Sequence, residues 1–250
     1  MSASSVQAWV AIVGGILTAV VGLLQYFRYR SKRDRMASVG TAFSSTVESL
    51  RSNDDIEPMA AAVLLRRFFE RGTEQGGRRR PYKSETVEVI AGILRSLQAD
   101  EEQDKDKDIF QKVLADGLRY ARDLVSADLQ KCNLRGAYLG RKSGDKWRLN
   151  LENADLFGAD CTAASFRDVI ANEAVFYKAI LEGTVFAGAE LRRADFRNAH
   201  LKGAKFGGAK IEGARFAGAE DIPQEVEKLL SRPKLVGKFD AEVPRDGDSS

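Results

Sequence analysis

The chain has 250 residues, which is enough for more than one folded region, and 30% of them are charged. Its formal net charge is only +3, so the composition excludes a strong overall bias towards polyanionic partners. With two cysteines and a single histidine, we expect neither a disulfide framework nor a metal site.

The first element is an apolar segment that is long enough to cross a bilayer. Residues 8–27, AWVAIVGGILTAVVGLLQYF, contain no charged side chain, and twenty helical residues span about 30 Å of hydrocarbon. No basic residue precedes the segment, and five follow it: Arg28, Arg30, Lys32, Arg33 and Arg35. The positive-inside rule therefore places residues 1–7 outside and the rest of the chain in the cytoplasm. We expect these five side chains, which begin in the basic linker 28–33, to contact lipid headgroups.

Two rows of small residues run along the predicted membrane helix. One row comprises Ala11, Gly15 and Ala19, and the other comprises Gly14, Thr18 and Gly22. Such rows let helices approach closely and can mediate self-association. Glycine is also generally frequent in membrane helices, so both interpretations stay open.

Residues 34–122 have the spacing of a small helical domain. Apolar residues recur at intervals of three and four in the segments 35–52, 56–72, 82–98 and 108–121. Pro58 lies near the start of the second segment and Gly72 ends it. The sequence therefore predicts four helices between the membrane segment and residue 123.

A five-residue repeat occupies the following region. From Leu151 to Phe216 an apolar residue stands at every fifth position, usually two residues after an alanine. A period of five fits neither the face of a helix nor the alternation of a strand, so it predicts a solenoid with short straight sides. A second run with the same period begins at Leu124 and ends at Leu139. The next centre, Leu151, comes two residues later than two further repeats would place it, which predicts an insertion.

Phenylalanine alternates with a smaller residue at these central positions from Phe166 to Phe216. Only a coil with an even number of sides stacks such residues, so we predict four sides and twenty residues per coil. Two opposite walls would then hold Phe176, Phe196 and Phe216 on one side and Phe166, Phe186 and Phe206 on the other. Arg197 would point outward, and we expect its removal to change stability little.

Other residues agree with this register. We expect positive φ at corner glycines two residues after a centre, namely Gly183, Gly188, Gly203, Gly208, Gly213 and Gly218. Opposite charges stand twenty residues apart in Glu173/Arg193, Glu182/Lys202, Glu190/Lys210, Arg192/Glu212 and Asp195/Arg215. Cys132 and Cys161 fall at inward positions as reduced core residues, whereas His200 falls outside.

The repeats resemble those of the pentapeptide-repeat family, whose pattern is commonly written A(D/N)LXX. The resemblance covers about residues 123–220 and rests on ADLQ at 127–130, GAYL at 136–139, NADLFGAD at 153–160 and RADFRNAHLKGAKF at 193–206. It implies a right-handed, four-sided β-helix. The whole layout is similar to that of membrane-anchored bacterial pentapeptide-repeat proteins, which implies the bacterial inner (plasma) membrane and no known reaction. The expected fold is α+β: a membrane helix, a helical region and the β-helix.

Both ends of the predicted β-helix need cover, because an open coil presents unpaired strand edges. We expect the last of the four helices to cover the first coil and a helix at 221–232 to cover the last. Residues 233–250 have the composition of a flexible tail.

The insertion at 140–148 is the candidate interaction loop. It carries a basic and aromatic set: Arg141, Lys142, Lys146, Trp147 and Arg148. The loop could bind nucleic acid, headgroups or an acidic protein surface. Alternatively, Trp147 folds back over the coil and the cations stay solvated.

No catalytic constellation or phosphate-binding loop is present in the sequence, so we expect no enzyme activity, cofactor or small-molecule substrate. The favoured hypothesis is a membrane-tethered scaffold that presents the β-helix to an unidentified protein partner on the cytoplasmic face. The partners would be the bilayer, that protein and further copies of this chain, but not nucleic acid. Two other hypotheses are a DNA mimic that binds a topoisomerase and a membrane effector that oligomerises.

Overall fold

The structure is a computed structural model, and it describes residues 34, 36–52, 56–70, 82–97 and 105–230. The chain divides into two compact units, Met1–Glu48 and Ser49–Ser250. Among the described residues, no helix is both long and apolar enough to cross a membrane. The predicted span at 8–27, its small-residue rows and the basic residues 28–35 all lie outside the described residues.

The first unit contributes helix α1, at 36–49, which ends at the boundary with the second unit. In the second unit, helix α2 is Glu57–Leu65 and continues as a 3-10 turn at Arg66–Phe68. Helix α3 is Lys83–Ser96, and helix α4 is Lys105–Gly117 with a 3-10 turn at Leu118–Ala121. Helix α5, Gln224–Leu230, follows the repeats.

The apolar spacing of the sequence explains which helix faces are buried. Helix α3 buries Val87, Ile90 and Leu94, which recur at intervals of three and four. Helix α2 has apolar residues on all sides, so apolar side chains lie on its exposed side as well: Ala62 and Leu65 are buried, whereas Leu64 remains 44% exposed. Helices α2 and α3 both pack against α4.

The repeats form a four-sided parallel coil, as the alternation of phenylalanines predicts. Parallel bridges join residues twenty apart, for example Val175 to Asp195 and Asp195 to Arg215. An inner coil exchanges backbone hydrogen bonds with the coils before and after it: Phe176 donates to the carbonyl of Asp195 in the next coil over 2.7 Å, and Val175 donates to that of Ala154 in the preceding coil over 2.9 Å. Every coil is therefore held by its two neighbours, as in other solenoids.

Two columns of phenylalanine rings fill the coil. Phe196 stacks on Phe176 with a centroid distance of 5.0 Å and on Phe216 with a distance of 4.9 Å. The opposite column contains Phe186 and Phe206 at 5.0 Å, and it meets the first column edge to face, with Phe186 and Phe196 at 5.7 Å. The predicted walls are confirmed, and the second inward position of this region holds alanine except at Val169 and Thr184, which are also fully buried.

The corners adopt positive φ whether or not they are glycine. The predicted glycines do so, as at Gly203 with φ of 70°, but Lys178 and Asn198 have φ of 58° and 56° at equivalent positions. A left-handed conformation costs a residue with a Cβ about 1–2 kcal/mol. The hydrogen bonds between coils therefore determine the left-handed conformation of the corner residue. Glycine only lowers the conformational free-energy cost of adopting it.

Ion pairs between neighbouring coils also follow the predicted register. The nitrogen-to-oxygen distances are 3.3 Å for Arg193 and Glu173, 3.4 Å for Lys210 and Glu190, 3.2 Å for Arg192 and Glu212, and 2.8 Å for Arg215 and Asp195. His200 is outward, with its Nδ1 2.7 Å from a Glu220 oxygen.

Both cysteines are buried and free, as predicted. Burial raises the pKa of Cys132 to about 12 and raises that of Cys161 well above its usual value. Both therefore remain protonated core residues at neutral pH.

Helices α3 and α4 together cover the first coil, whereas the sequence predicts this role only for the last helix. Arg95 of α3 donates to the carbonyls of Asp128 and Gln130, at 2.9 and 3.0 Å, where a preceding coil would otherwise supply backbone donors. The backbone N–H of Asn133 donates to the carbonyl of Leu94 over 3.0 Å, and the Gln111 side chain of α4 donates to the backbone carbonyl of Asn133 over 2.8 Å. The helices thus satisfy backbone groups that an open coil would leave unpaired.

At the other end, helix α5 lies against the last coil. Its Val226 is fully buried, and the Glu225 carboxylate accepts a hydrogen bond from the amide of Phe206. Helix α5 therefore covers the last coil, as the sequence predicts for a helix at 221–232.

Candidate interaction surfaces of the coil

The insertion lengthens a single side of the first coil. The bridges from Asp123–Asn150 to Tyr138–Ser165 join residues twenty-seven apart, whereas those from Asn150 onward join residues twenty apart, so the first coil is seven residues longer than the others. The residues between Leu139 and Leu151 therefore replace one five-residue side rather than two. The loop leaves the coil at Gly140, where a Cβ would come within 2.8 Å of the Arg167 backbone nitrogen.

The base of the loop is locked to the helical cap by Arg119, which is only 4% exposed. Its Nε donates to the carbonyl of Gly140 over 2.8 Å, and its guanidinium forms an ion pair with Asp145. Burial alone would raise the pKa of Asp145, but the Lys142 amide and the Arg119 charge outweigh it and hold that pKa below its usual value. Asp145 is therefore a charged residue whose ion pair with Arg119 joins the loop to the helical cap.

Trp147 and Arg148 are part of the same attachment. The Trp147 ring is half-buried, with the guanidinium carbons of Arg119 and Arg122 lying 4.7 and 5.0 Å from its centroid. Arg148 donates to the carbonyl of Val169 over 3.1 Å and to Glu190 over 2.8 Å. The hydrogen bond from Arg148 is the main cause that lowers the pKa of Glu190. Trp147 therefore lies against the helical cap, and Arg148 is paired with the coil instead of solvated.

The remaining three candidates, Arg141, Lys142 and Lys146, are exposed, and we call them the basic tip. The Nζ of Lys142 lies 5.3 Å from the centroid of Tyr138, and the Nε of Arg141 donates to the carbonyl of Asp145 over 3.0 Å. The basic tip thus projects charge from a base whose geometry is fixed.

A second surface, which the sequence analysis missed, lies on the outside of the coil. Phe157, Tyr177 and Arg197 occupy the same outward position in three successive coils, and we call them the aromatic face. The rings of Phe157 and Tyr177 stack at 5.7 Å, and the Arg197 guanidinium carbon lies 5.5 Å from the Tyr177 centroid. The spacing of twenty residues carries this signal in the sequence, because all three residues share one outward register position.

A buried carboxylate fixes the orientation of Arg197. Asp195 is 3% exposed and accepts hydrogen bonds from Nε and an Nη of Arg197, both at 2.9 Å, and from Arg215 at 2.8 Å. Burial tends to raise the pKa of Asp195, but the two arginines outweigh it and hold the pKa below its usual value. The hydrogen bonds to Asp195 in turn raise the pKa of Arg197. The sequence places Arg197 outward and predicts little loss of stability on its removal, whereas its hydrogen bonds to Asp195 favour a larger loss.

A shallow groove of about 360 Å³ adjoins the aromatic face, and we call it the corner groove. Its apolar surface comes from Phe157, Gly158 and Leu97, the last at the end of α3. Lys131 and Lys178 stand at the coil corner on either side of Gly158, and both are exposed. The groove and the aromatic face share Phe157 and form one continuous surface.

By its bridges and core, the repeat region is a four-sided parallel β-helix, a solenoid with flat faces. The family model described as pentapeptide repeats matches residues 150–188 and 179–218 of this chain, with eight copies. Residues 150–218 are therefore pentapeptide repeats. Among curated proteins, no sequence matches this chain.

Three solved structures illustrate the similarity. The pentapeptide repeat protein Rfr23 from the cyanobacterium Cyanothece 51142 is 26% identical, with a TM-score of 0.35; the match covers 39% of this chain and 62% of Rfr23, less than two thirds of its length. A pentapeptide repeat protein from the Arabidopsis thaliana thylakoid lumen is 27% identical over 42% of this chain and 72% of its own, with a TM-score of 0.31. QnrB1, a plasmid-mediated fluoroquinolone resistance protein, is 20% identical over 39% of this chain and 57% of its own, with a TM-score of 0.21.

Proposed function

We propose that this protein is an interaction scaffold that is tethered to the bacterial inner membrane and presents its pentapeptide-repeat coil to a protein partner in the cytoplasm. The observation that carries the proposal is the basic tip. It projects Arg141, Lys142 and Lys146 from the first coil, while Arg119 and Asp145 hold the base of the loop.

Rigidity supports binding by this surface. The phenylalanine columns are closely stacked, and hydrogen bonds from α3 and α4 fix the first coil, from which the loop emerges. A surface that is already ordered loses little conformational entropy when a partner binds. A loop whose base is fixed can therefore contribute its charges without first being ordered.

The tether and the location are inferred from the sequence. The apolar residues 8–27 and the basic residues that follow them support a single span with the coil on the cytoplasmic side. The partners in this proposal are the bilayer, a protein with an acidic surface and, through the small-residue rows, further copies of this chain.

The charge distribution of the coil favours a scaffold over a DNA mimic. Mimicry of DNA requires a continuous acidic surface, but Glu190 pairs with Arg148 and Lys210, and Asp195 pairs with Arg197 and Arg215. These carboxylates are neutralised within the coil and do not form an acidic stripe.

Proximity labelling of the full-length protein in its membrane tests the proposal. We expect enriched proteins that are lost when the basic tip is neutralised in the triple variant Arg141→Gln, Lys142→Gln, Lys146→Gln. The matched control neutralises three other exposed cations of the coil, Arg167, Lys202 and Lys205, and should keep those partners. If labelling matches that of the segment 1–35 alone, or if both triple variants behave alike, the proposal fails.

A further inference from the structure

The two rings of the aromatic face, Phe157 and Tyr177, form an apolar surface on the outside of the coil. Both residues are only half-buried, and their rings stack at 5.7 Å. Their outward positions are otherwise suited to polar side chains, such as Gln130 in the coil before and Arg197 in the coil after. Neither ring contributes to the phenylalanine columns inside the coil, so packing of the core does not account for them.

The aromatic face is ordered in advance of any binding. Asn198 donates to the Tyr177 hydroxyl over 3.1 Å, and the Nζ of Lys178 lies 5.4 Å from the Tyr177 centroid. Arg197 lies against the same ring and is fixed by two hydrogen bonds to the buried Asp195. A partner that stacks here meets a surface with few side-chain rotamers left to lose.

The corner groove adds a local excess of positive charge. Lys131 and Lys178 are exposed and form no ion pair within the described part of the chain. The acid that lines the groove, Asp160, is engaged by Arg135 at 3.0 Å and by the Thr162 hydroxyl at 2.6 Å. Two ammonium groups therefore flank an apolar floor, and the nearby carboxylate is already paired.

We propose that the corner groove and the aromatic face form a docking site for an extended acidic peptide segment that carries an apolar or aromatic side chain between two carboxylates. The site rests on the proposed scaffold function and names the chemistry of the protein partner. The carboxylates bind Lys131 and Lys178, and the side chain between them packs on Phe157.

The spacing of the two lysines suits such a peptide. They occupy equivalent corners separated by two coil steps, which at the usual spacing between strands is about 10 Å. Side chains at positions one, three and five of an extended chain point to the same face, and positions one and five are about 13 Å apart. Carboxylates at these two positions therefore reach both lysines through their flexible side chains, while the residue at position three packs on Phe157.

The same surface is poorly suited to a nucleic acid. Asp128 and Asp155 lie on the side of the coil that carries the aromatic face, and Asp128 already pairs with Arg95 at 2.9 Å. A continuous phosphate backbone that ran past them would gain few cationic contacts beyond the two lysines, whereas a short peptide with two carboxylates needs only those two. The observations therefore favour an acidic peptide as occupant.

Fluorescence polarisation with full-length protein in detergent micelles tests the docking site. The probe is a fluorescein-labelled Glu-Ser-Phe-Ser-Glu peptide, with Ser-Ser-Phe-Ser-Ser as the uncharged comparison. We expect saturable binding of the acidic probe only, weakened about fivefold or more in the double variant Lys131→Gln, Lys178→Gln, since each exposed ion pair contributes up to about 1 kcal/mol.

Two further variants make the result specific. Phe157→Ser should weaken binding of the probe as well, whereas the matched double variant Lys202→Gln, Lys205→Gln removes the same charge elsewhere on the coil and should leave binding unchanged. Thermal unfolding, followed by Trp147 fluorescence in a Trp9→Phe background, shows that each variant is folded.

Three outcomes would overturn the docking site: no saturable binding of the acidic probe, equal weakening in both double variants, or stronger binding of a ten-nucleotide oligo-dT that depends on Lys131 and Lys178. Proximity labelling separates this site from the scaffold function. Partners that survive Lys131→Gln, Lys178→Gln but are lost with the basic tip would refute the docking site and leave the scaffold standing.

Discussion

Phe196 is the residue whose removal tests the packing of the coil most directly. Its ring is fully buried and contacts four others: it stacks on Phe176 and Phe216 and meets Phe186 and Phe206 edge to face. A buried Phe→Ala substitution costs about 3–5 kcal/mol in unfolding free energy. Because coils above and below restrict collapse of the cavity, we expect Phe196→Ala to cost about 4–5 kcal/mol.

Phe216 provides the matched comparison within the same column. It stacks only on Phe196, meets Phe206 edge to face and is 7% exposed. Phe216→Ala removes the same atoms but fewer contacts, so we expect a loss of about 2–3 kcal/mol. The difference between the two variants isolates the contribution of stacking within the coil.

Urea denaturation of the full-length protein in detergent micelles measures both losses. A Trp9→Phe background leaves Trp147 as the sole tryptophan, and Trp147 reports on the first coil because its ring lies against Arg119 and Arg122. Equal losses for Phe196→Ala and Phe216→Ala, or a loss below about 1 kcal/mol for Phe196→Ala, would refute the packing argument.

Three other substitutions test features outside the phenylalanine columns. Asp195→Asn removes the charge that binds two arginines and should cost about 1–3 kcal/mol in unfolding free energy at neutral pH. Because the pKa of Asp195 is lowered in the fold, its stabilisation is complete above about pH 4 and is lost as the pH falls below that value. The unfolding free energy of the variant should therefore depend less on pH in this acidic range. Arg95→Ala leaves the carbonyls of Asp128 and Gln130 without their donors, and hydrogen exchange should accelerate in the first coil but not around Phe196. Gly188→Ala should destabilise the fold, because Gly188 has φ of +69° and a Cβ there would lie 2.2 Å from the Asp168 carboxylate. In the control Gly207→Ala, the added Cβ meets nothing within 4 Å, so thermal unfolding should show no change or a gain of about 0.5 kcal/mol.

The sequence by itself determined the coil. A period of five with alternating phenylalanines allows only an even-sided tube, and the inward, outward and corner positions follow from that geometry alone. The stacks of Phe176, Phe196 and Phe216, the corner glycines and four of the five predicted ion pairs lie where this reasoning places them, whereas Glu182 and Lys202 form no ion pair among the described residues. Such features are predictable because each depends on one residue and its copy in the next coil.

Only the tertiary structure decided how the ends and surfaces of the coil are used. Arg95 and Arg119 bind carbonyls of the first coil from helices that no repeat specifies, and Arg119 also fixes the insertion through Asp145 and Trp147. Arg197 has the outward position of a solvated side chain, yet it closes over a buried carboxylate and covers a tyrosine. These contacts join residues without a fixed spacing in the chain, so their geometry depends on how the helices, the insertion and the coil pack together.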